Sequence, residues 1–252
     1  MKQLLLLGVA LWLAAPAGAQ VPDRAGIAAR AAEGGEGVWR RASREPVSPG
    51  LGSRDLFTYA LALCEAKAHP ERLERLFTLA KEMQDRDPQS RTYGNFRWSW
   101  GAAQVEDWNA VDFCMQGGSL LWLRHRDTLP PAARDILREL IDFSVEGLLR
   151  HRVPESYTNI ALMNAVDLIL LGETLEKPAV ASAGYARLEA VTLYTWENGI
   201  HEYCSPTYYG VDLDCLGVLE AFCRRDRERE QARALLDLFW NDIAANWYPA
   251  GG

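Results

Sequence analysis

The chain alternates apolar and polar positions with helical spacing, in long runs separated by Gly, Pro and Asn. Apolar residues that recur three and four positions apart predict amphipathic helices. On this basis we expect helices at residues 54–68, 70–86, 106–126, 131–151, 156–173, 178–198, 206–224 and 227–247. No segment shows sustained strand alternation, so the pattern predicts an all-α fold.

The pattern also repeats every fifty residues. Segments 55–64, 105–114, 155–164 and 205–214 align without a gap, and one column of the alignment holds Tyr59, Asn109, Asn159 and Tyr209. A fixed period of this size indicates stacked supersecondary units. Each copy begins with a polar and aromatic loop that leads into a helix. We therefore expect the loops to gather at one end of the array and to hold the functional residues.

The predicted helices are of two kinds. The run at 156–173 is apolar over most of its circumference, whereas the runs at 131–151 and 227–247 have a polar face. A helix that is apolar on all sides is buried, and a two-faced helix lies at the surface. Alternating inner and outer helices predict an (α/α) toroid, or an incomplete toroid of about four hairpins, over residues 54–252.

Two loops lead into predicted inner helices: residues 93–98, Tyr-Gly-Asn-Phe-Arg-Trp, and residues 202–209, Glu-Tyr-Cys-Ser-Pro-Thr-Tyr-Tyr. Together with the paired helices they resemble the (α/α)-toroid carbohydrate-active enzymes, namely alginate-lyase and heparinase II/III-like polysaccharide lyases and the six-hairpin glycosidases. The resemblance covers residues 54–247 and lies in the architecture. It implies a polysaccharide or oligosaccharide substrate. Those toroids close with more hairpins, so we expect a longer natural protein, closure by a partner or by self-association, or an open array.

The first residues have the pattern of an export signal. Lys2 precedes an apolar stretch from Leu4 to Ala15, and Ala17-Gly18-Ala19 matches a cleavage site. We expect a signal peptide at 1–19, a leader arm at 20–53 with one short helix near 24–32, and a periplasmic or secreted protein. A retained anchor is the weaker alternative, because a membrane-spanning helix needs about 20 apolar residues.

The composition narrows the class of partner. The net charge of −7 argues against nucleic acid and against an anionic membrane surface. Nine Trp, nine Tyr and seven Phe, several of them in predicted loops, suit stacking on sugar rings. No P-loop, Rossmann glycine pattern, G-x-S-x-G, C-x-x-C or H-E-x-x-H motif is present. The sequence therefore predicts a saccharide partner, no nucleic acid, no cofactor and no metal.

Five cysteines in an exported chain leave at least one thiol unpaired. Cys64 and Cys114 hold the same repeat position and would point in the same direction, so we expect both to be free thiols. One disulfide among Cys204, Cys215 and Cys223 stays open as an alternative.

Three loop clusters contain the candidate site residues. The first cluster comprises Asn95, Arg97, Trp98, Trp100 and Asn109, which we expect to bind substrate. A guanidinium can neutralise a carboxylate, and indole rings can stack on sugars. The alternative is a Trp-rich loop that packs over the mouth of the array, with acidic residues that serve the next helix N-terminus.

The second cluster comprises Tyr157 and Asn159, which we also expect to bind substrate. Asn159 shares a repeat column with Asn109, so both amides should project at one level. Buried amides need hydrogen-bond partners. They would either bind a uronate carboxylate or link neighbouring inner helices.

The third cluster is the densest in reactive side chains and contains the residues that we expect to be catalytic: His201, Glu202, Tyr208 and Tyr209. A tyrosine near a histidine suits β-elimination, and a glutamate in a cleft suits glycoside hydrolysis, with Asp107 or Asp212 as its partner. The remaining histidines, His69, His125 and His151, lie near predicted helix ends, where we expect surface positions and interactions with the helix dipole.

These expectations favour an exported polysaccharide lyase that acts at a uronate by β-elimination. Two alternatives are kept. One is a glycoside hydrolase on the same fold. The other is a non-catalytic helical-repeat protein that binds glycans or acts as a scaffold.

Overall fold

A computed structural model describes residues 23–202 and 205–247. The predicted signal peptide, and Cys204 of the third cluster, lie outside these residues. The α-helices are α1 (Arg24–Gly34), α2 (Glu36–Ala42), α3 (Ser53–Ala66), α4 (Leu73–Met83), α5 (Ala110–His125), α6 (Pro131–Arg150), α7 (Thr158–Thr174), α8 (Pro178–Asn198), α9 (Pro206–Phe222) and α10 (Asp226–Asn246). The described residues form no strand, only two isolated β-bridges. The all-α prediction is confirmed.

Most helix boundaries follow the sequence signals. Helix α8 has the predicted bounds, with Pro178 at its first position and Gly199, at φ 79°, after its last. A positive φ favours glycine, which explains the stop at this point. Helix α5 begins four residues later than predicted, because the Asp107 carboxylate accepts hydrogen bonds from the Trp98 indole and from the backbone N–H of Asn109 and holds this segment in a loop.

The helices form two layers. Helices α3, α5, α7 and α9 lie side by side in one layer, and each is followed by a partner in the second layer, α4, α6, α8 and α10. Every residue of α7 from Thr158 to Glu173 is buried, whereas α4 and α6 bury one face. Helix α1 packs against α3, so part of the predicted leader arm belongs to the array.

Hydrogen bonds between inner helices join residues about one repeat apart. The Ser119 hydroxyl of α5 donates to the Asp167 carboxylate of α7 at 3.2 Å. The Asn164 amide of α7 donates to the Asp112 carboxylate of α5 at 2.7 Å. The fifty-residue period of the sequence therefore corresponds to the step from one inner helix to the next.

The array has two distinct ends. We call the end that holds the N-termini of α5, α7 and α9 the loop end, because the loops 84–109, 151–157 and 199–202 lie there. We call the opposite end, where inner helices turn into outer helices, the hairpin end. Among the described residues, no helix combines the length and the apolarity needed to cross a membrane.

Candidate functional site

Exposed aromatic side chains concentrate at the loop end. Several large apolar residues there are more than a third exposed. They lie in the loops, in the first turn of α9, in the last two turns of α8 and α10, and directly after α10. They are Trp108, Tyr157, Leu193, Trp196, Tyr208, Trp240 and Trp247. Among the described residues, only Ile27 of α1 belongs to this class and lies elsewhere. Clustered exposed rings indicate a surface for ligands or partners.

A polar cleft of about 610 Å³ opens beside Trp108. Its walls come from the end of α4 and from the loop 84–109, and its lining includes Asp85, Arg91, Arg97, Gln104 and Trp108. The volume lies within the range of small-molecule sites, roughly 300–1,000 Å³. The cleft therefore has room for a small saccharide, with charged and amide groups in its walls and an indole at its edge.

Most residues of the first predicted cluster hold the cleft loop in place. The Arg97 guanidinium donates to the carbonyl oxygens of Ala102, at 2.8 Å, and of Glu82. Asn95 is buried, and its amide donates to the Trp108 carbonyl at 2.9 Å. The Trp98 indole donates to Asp107 at 2.9 Å. These side chains shape the loop, and Arg97 has already used two donors within the protein.

Trp100 also supports the cleft loop rather than lining the cleft. Its ring is half-buried against the core, and its backbone exchanges hydrogen bonds with Gly50 and Leu51. The loop is further fixed by close backbone contact between Gly94, at φ 85°, and Gly147 of α6. A Cβ atom on Gly147 would lie 2.8 Å from the Gly94 backbone. The cleft is therefore preformed by packing.

Asn109 and Tyr157 come together from consecutive repeats. The Asn109 amide donates to the Tyr157 hydroxyl at 3.1 Å, and the Tyr157 side chain is 44% exposed. Asn109 is the residue before α5 and follows Trp108, so this pair lies next to the exposed indole. Both residues were predicted to bind substrate. Their direct contact links the first and second clusters.

His151 forms the least expected group of the loop end. Sequence reasoning placed it at the surface near a helix end. It does follow the last residue of α6, but it is buried, and its Nδ1 lies 2.7 Å from the Asp112 carboxylate of α5. The Trp108 indole stacks on the imidazole, with ring centroids 6.2 Å apart. The prediction of a surface position is wrong, because Asp112 holds the ring within the array.

Asp112 is also held by a chain of hydrogen bonds from α7 and α8. The Asn164 amide donates to Asp112, and its oxygen accepts from Arg187 of α8. Arg187 also donates to the Leu148 carbonyl at 3.0 Å. Burial raises the pKa of Asp112, and the hydrogen bonds from His151 and Asn164 oppose that rise. The carboxylate is thus fixed on both oxygens.

The third cluster contains a buried pair of carboxyl groups. Glu202 precedes α9 and Asp212 lies two turns into it, and both are buried. The Thr158 hydroxyl and the Asn159 backbone N–H donate to Glu202. Neither Asp212 oxygen meets an N–H or hydroxyl donor among the described residues. Burial, and then the neighbouring Glu202, raise the pKa of Asp212 to about 9.

This pair therefore holds one proton at neutral pH. Two adjacent carboxyls form a hydrogen bond only when one of them is protonated, because a carboxylate accepts and cannot donate. Sequence reasoning named Glu202 with Asp212 as one of two acid and base pairs. The structure brings these two residues together, whereas Asp107 bonds Trp98 and Asn109.

The other residues of the second and third clusters have different surroundings. The Tyr209 hydroxyl donates to Asp242 of α10 at 2.6 Å, and its ring packs on Phe239, so Tyr209 joins an inner helix to an outer one. Tyr208 is exposed, and the exposed His201 ring lies 6.4 Å from Tyr194. Asn159 is buried in the first turn of α7.

Asn109 directly precedes α5, whereas Asn159 lies in the first turn of α7, so the two asparagines differ in their position relative to the helix.

The described thiols and acidic groups form no cluster that could bind a metal ion. Cys64, Cys114, Cys215 and Cys223 are free, which confirms the prediction for the first two. Burial raises the pKa of Cys64 and of Cys114 to about 12, so both are unreactive at neutral pH. Within residues 23–202 and 205–247, no group of three or more His, Cys, Asp or Glu side chains could hold a metal ion.

Comparison with known proteins gives one similarity. Residues 126–250 match a family described as a domain of unknown function (DUF8769). The match extends from the end of α5 through α10, so it contains His151, Tyr157, Glu202 and Asp212. No curated protein and no solved structure matches the chain.

Proposed function

We propose that this chain is an exported polysaccharide-degrading enzyme, a lyase that cleaves at a uronate by β-elimination, built on an (α/α) toroid or part of one. The observation that carries the proposal is the loop end itself. Consecutive repeats contribute the exposed Trp108, the Asn109–Tyr157 pair and a polar cleft of about 610 Å³ to one surface. Indole, amide and phenol are the groups that stack on sugar rings and hydrogen bond their substituents.

Each group has a role in the proposed reaction. Trp108 stacks on a sugar ring, and the Asn109 amide donates to the uronate carboxylate. This hydrogen bond lowers the negative charge that builds up when the proton next to the carboxylate is removed. Tyr157 supplies a proton to the leaving oxygen, since its hydroxyl accepts from Asn109 and keeps its own hydrogen available.

Turnover on polyuronates tests the proposal. The full chain is incubated with alginate, pectate and heparan-type chains, and the ultraviolet absorbance of the conjugated C=C product is followed. Tyr157→Phe should lose most of this activity. Tyr93→Phe is the matched control, because Tyr93 packs against Phe143 and Arg150 in the same end of the array. Intact substrates after prolonged incubation would contradict the proposal.

Glycoside hydrolysis is the second candidate function, and the Glu202–Asp212 pair favours it. The pair holds one proton, so it offers an acid and a base. However, the two carboxyls of a glycosidase stand at least about 5 Å apart to admit the sugar oxygen or water. Hydrolysis would require this buried pair to separate. It would release reducing ends without a C=C chromophore, which distinguishes it from elimination in the same assay.

The remaining expectations stay with this proposal. We propose a periplasmic or secreted location, a saccharide as the partner, no nucleic-acid partner, and self-association if the array is open. Binding of polyuronate without turnover would favour the alternative of a glycan-binding or scaffold protein.

A further inference from the structure

His151 is oriented by a buried carboxylate. Asp112 has no exposed surface, and it accepts a hydrogen bond from Nδ1 of His151 at 2.7 Å. Its second oxygen is occupied by the Asn164 amide at 2.7 Å, so the carboxylate cannot rotate away. A carboxylate that accepts from Nδ1 fixes the proton of the neutral imidazole there. The lone pair is then on Nε2.

His151 directly follows α6, so its side chain lies at the loop end, and the Nε2 atom is the ring nitrogen that Asp112 does not hold. It has no hydrogen-bond partner in the described part of the chain, and it is not among the side-chain atoms that are sealed from solvent without a partner. The side chain as a whole is 9% exposed. Trp108 lies against the ring and also lines the polar cleft. Asp112 therefore holds one ring nitrogen, and the other forms no hydrogen bond within the described part of the chain.

We propose that His151 is the general base of the loop end and that Asp112 positions it. This inference rests on the proposed function, and it replaces the expectation that His201 and the α9 tyrosines move the proton. Nε2 takes the proton from the carbon next to the uronate carboxylate. The C–H electron pair becomes the C=C bond, and the C–O bond at the next carbon breaks. The leaving oxygen takes the Tyr157 proton, after which solvent reprotonates Tyr157 and deprotonates His151.

The residue types and positions support these roles. A carboxylate–imidazole pair is the arrangement with which proteins keep a histidine in one tautomer for proton transfer. Residues 108 and 109 connect the base to the substrate-binding groups, because Trp108 stacks on His151 and Asn109 bonds Tyr157. The base and the proposed acid thus each contact one residue of the Trp108–Asn109 segment.

The array contains a matched control. His125 at the hairpin end is also paired with a carboxylate, with Nε2 2.9 Å from Glu65, and it is similarly buried. We compare His151→Gln with His125→Gln. The first should lower kcat on polyuronate about a hundredfold or more, the usual contribution of a general base. The second should leave kcat unchanged. Equal effects of the two variants, at equal thermal stability, would overturn the assignment.

The positioning role of Asp112 is tested by a measurement that would not change if Asp112 only stabilised the fold, namely the tautomer of His151. In ¹⁵N spectra of the wild-type protein, His151 should carry its proton on Nδ1. Asp112→Asn should shift the proton to Nε2 and lower kcat with KM unchanged. A wild-type His151 with its proton on Nε2 would overturn the inference without any assay of turnover.

Modification of His151 by diethylpyrocarbonate tests this inference independently of the proposed function. Diethylpyrocarbonate applied to the wild-type protein, followed by peptide mass mapping, should modify His151, and an oligouronate should slow the modification. If no polyuronate is turned over, the proposed function fails. His151 is then judged by its tautomer and by its reactivity with the reagent alone. An unreactive His151 would show that the imidazole is structural and would overturn the proposal.

Discussion

Each end of the array has a histidine paired with a carboxylate, and the two pairs differ in their surroundings. At the hairpin end, Glu65 accepts from His125 and also forms ion pairs with Arg24 and Arg124. At the loop end, the hydrogen-bond partners of Asp112 are the His151 imidazole and the Asn164 amide, and its carboxylate is fully buried. One carboxylate pairs directly with cations near solvent, whereas the direct partners of the other are an imidazole and an amide, with Arg187 bound to that amide.

This difference shows which of the two pairs is not explained by its contribution to stability alone. A carboxylate with several cationic partners near the surface links α1, α3 and α5 at little desolvation cost. Burying a carboxylate completely costs on the order of several kcal/mol of desolvation free energy, and only hydrogen bonds of good geometry offset this cost. Buried, oriented titratable groups concentrate at functional sites. The loop-end pair therefore fits a chemical role, and the hairpin-end pair fits a structural one.

Removal of each carboxylate gives the largest contrast. Asp112→Ala leaves the His151 N–H and the Asn164 amide without their acceptor, so we expect a loss of about 3 kcal/mol in the free energy of unfolding. Glu65→Ala should cost about 1 kcal/mol or less. Chemical denaturation measures both. Similar losses for the two variants would break the distinction between the ends.

The glycine contact that fixes the cleft loop gives the next effect. In Gly147→Ala the new Cβ atom meets the Gly94 backbone at 2.8 Å, so we expect a loss of about 2 kcal/mol. Gly217→Ala in α9 is the control, since nothing lies within 4 Å of its Cβ position. It should gain about 0.5 kcal/mol from helix propensity. A neutral Gly147→Ala would show that the cleft loop is not held by this contact.

The Glu202–Asp212 pair should make the stability of the loop end depend on pH. In the folded protein Asp212 keeps its proton up to a pKa of about 9, whereas the unfolded chain releases it near 3.8. Between these values the folded state binds more protons, so its stability falls as pH rises, by at most about 1.4 kcal/mol per pH unit.

Asp212→Asn tests this dependence. The variant should lose less stability than the wild type between about pH 5 and about pH 8. Glu139→Gln is the control. The Lys81 hydrogen bond, followed by that of Arg86, lowers the pKa of Glu139 against the opposing effect of burial, so it titrates below this range and its removal should keep the wild-type slope. An Asp212→Asn slope equal to that of the wild type would show that the pair holds no extra proton.

The smallest effect concerns Tyr209. Tyr209→Phe removes the hydrogen bond to Asp242 and should cost about 1 kcal/mol. Asp242→Ala should cost a similar amount, and the double variant should lose little more than either single variant. Loss of turnover in Tyr209→Phe without loss of stability would instead support the catalytic role expected from the sequence.

The fold was readable from the sequence because its signals are local. Helical spacing, Pro178 and Gly199 predict the bounds of α8, and the fifty-residue period predicts which helices are neighbours. The start of α5 was missed because it depends on the Trp98–Asp107 hydrogen bond, which joins residues nine positions apart in a loop. The spacing of apolar and polar residues does not indicate a contact of this kind.

The site was readable only in part. Asn109 and Tyr157 were predicted to bind substrate, whereas Trp108 was missed because the segment that contains it was predicted to be helical. His151 was missed because its meaning depends on Asp112, which lies 39 positions away on another helix. The sequence did contain one signal that could have led to His151, namely Asp112 in the apolar first turn of α5. A fully buried acid asks for a partner, and His151 is the first residue after the neighbouring helix α6.

Mapping of ligand contacts tests the central claim most directly. An oligouronate is titrated into the wild-type protein, and the amide, indole and imidazole resonances are followed by NMR. We expect the shifts to concentrate on Trp108, Asn109, His151 and Tyr157, with the residues around Glu65 and His125 unchanged. Shifts at the hairpin end, or none at any ligand concentration, would contradict the assignment of the loop end as the functional site.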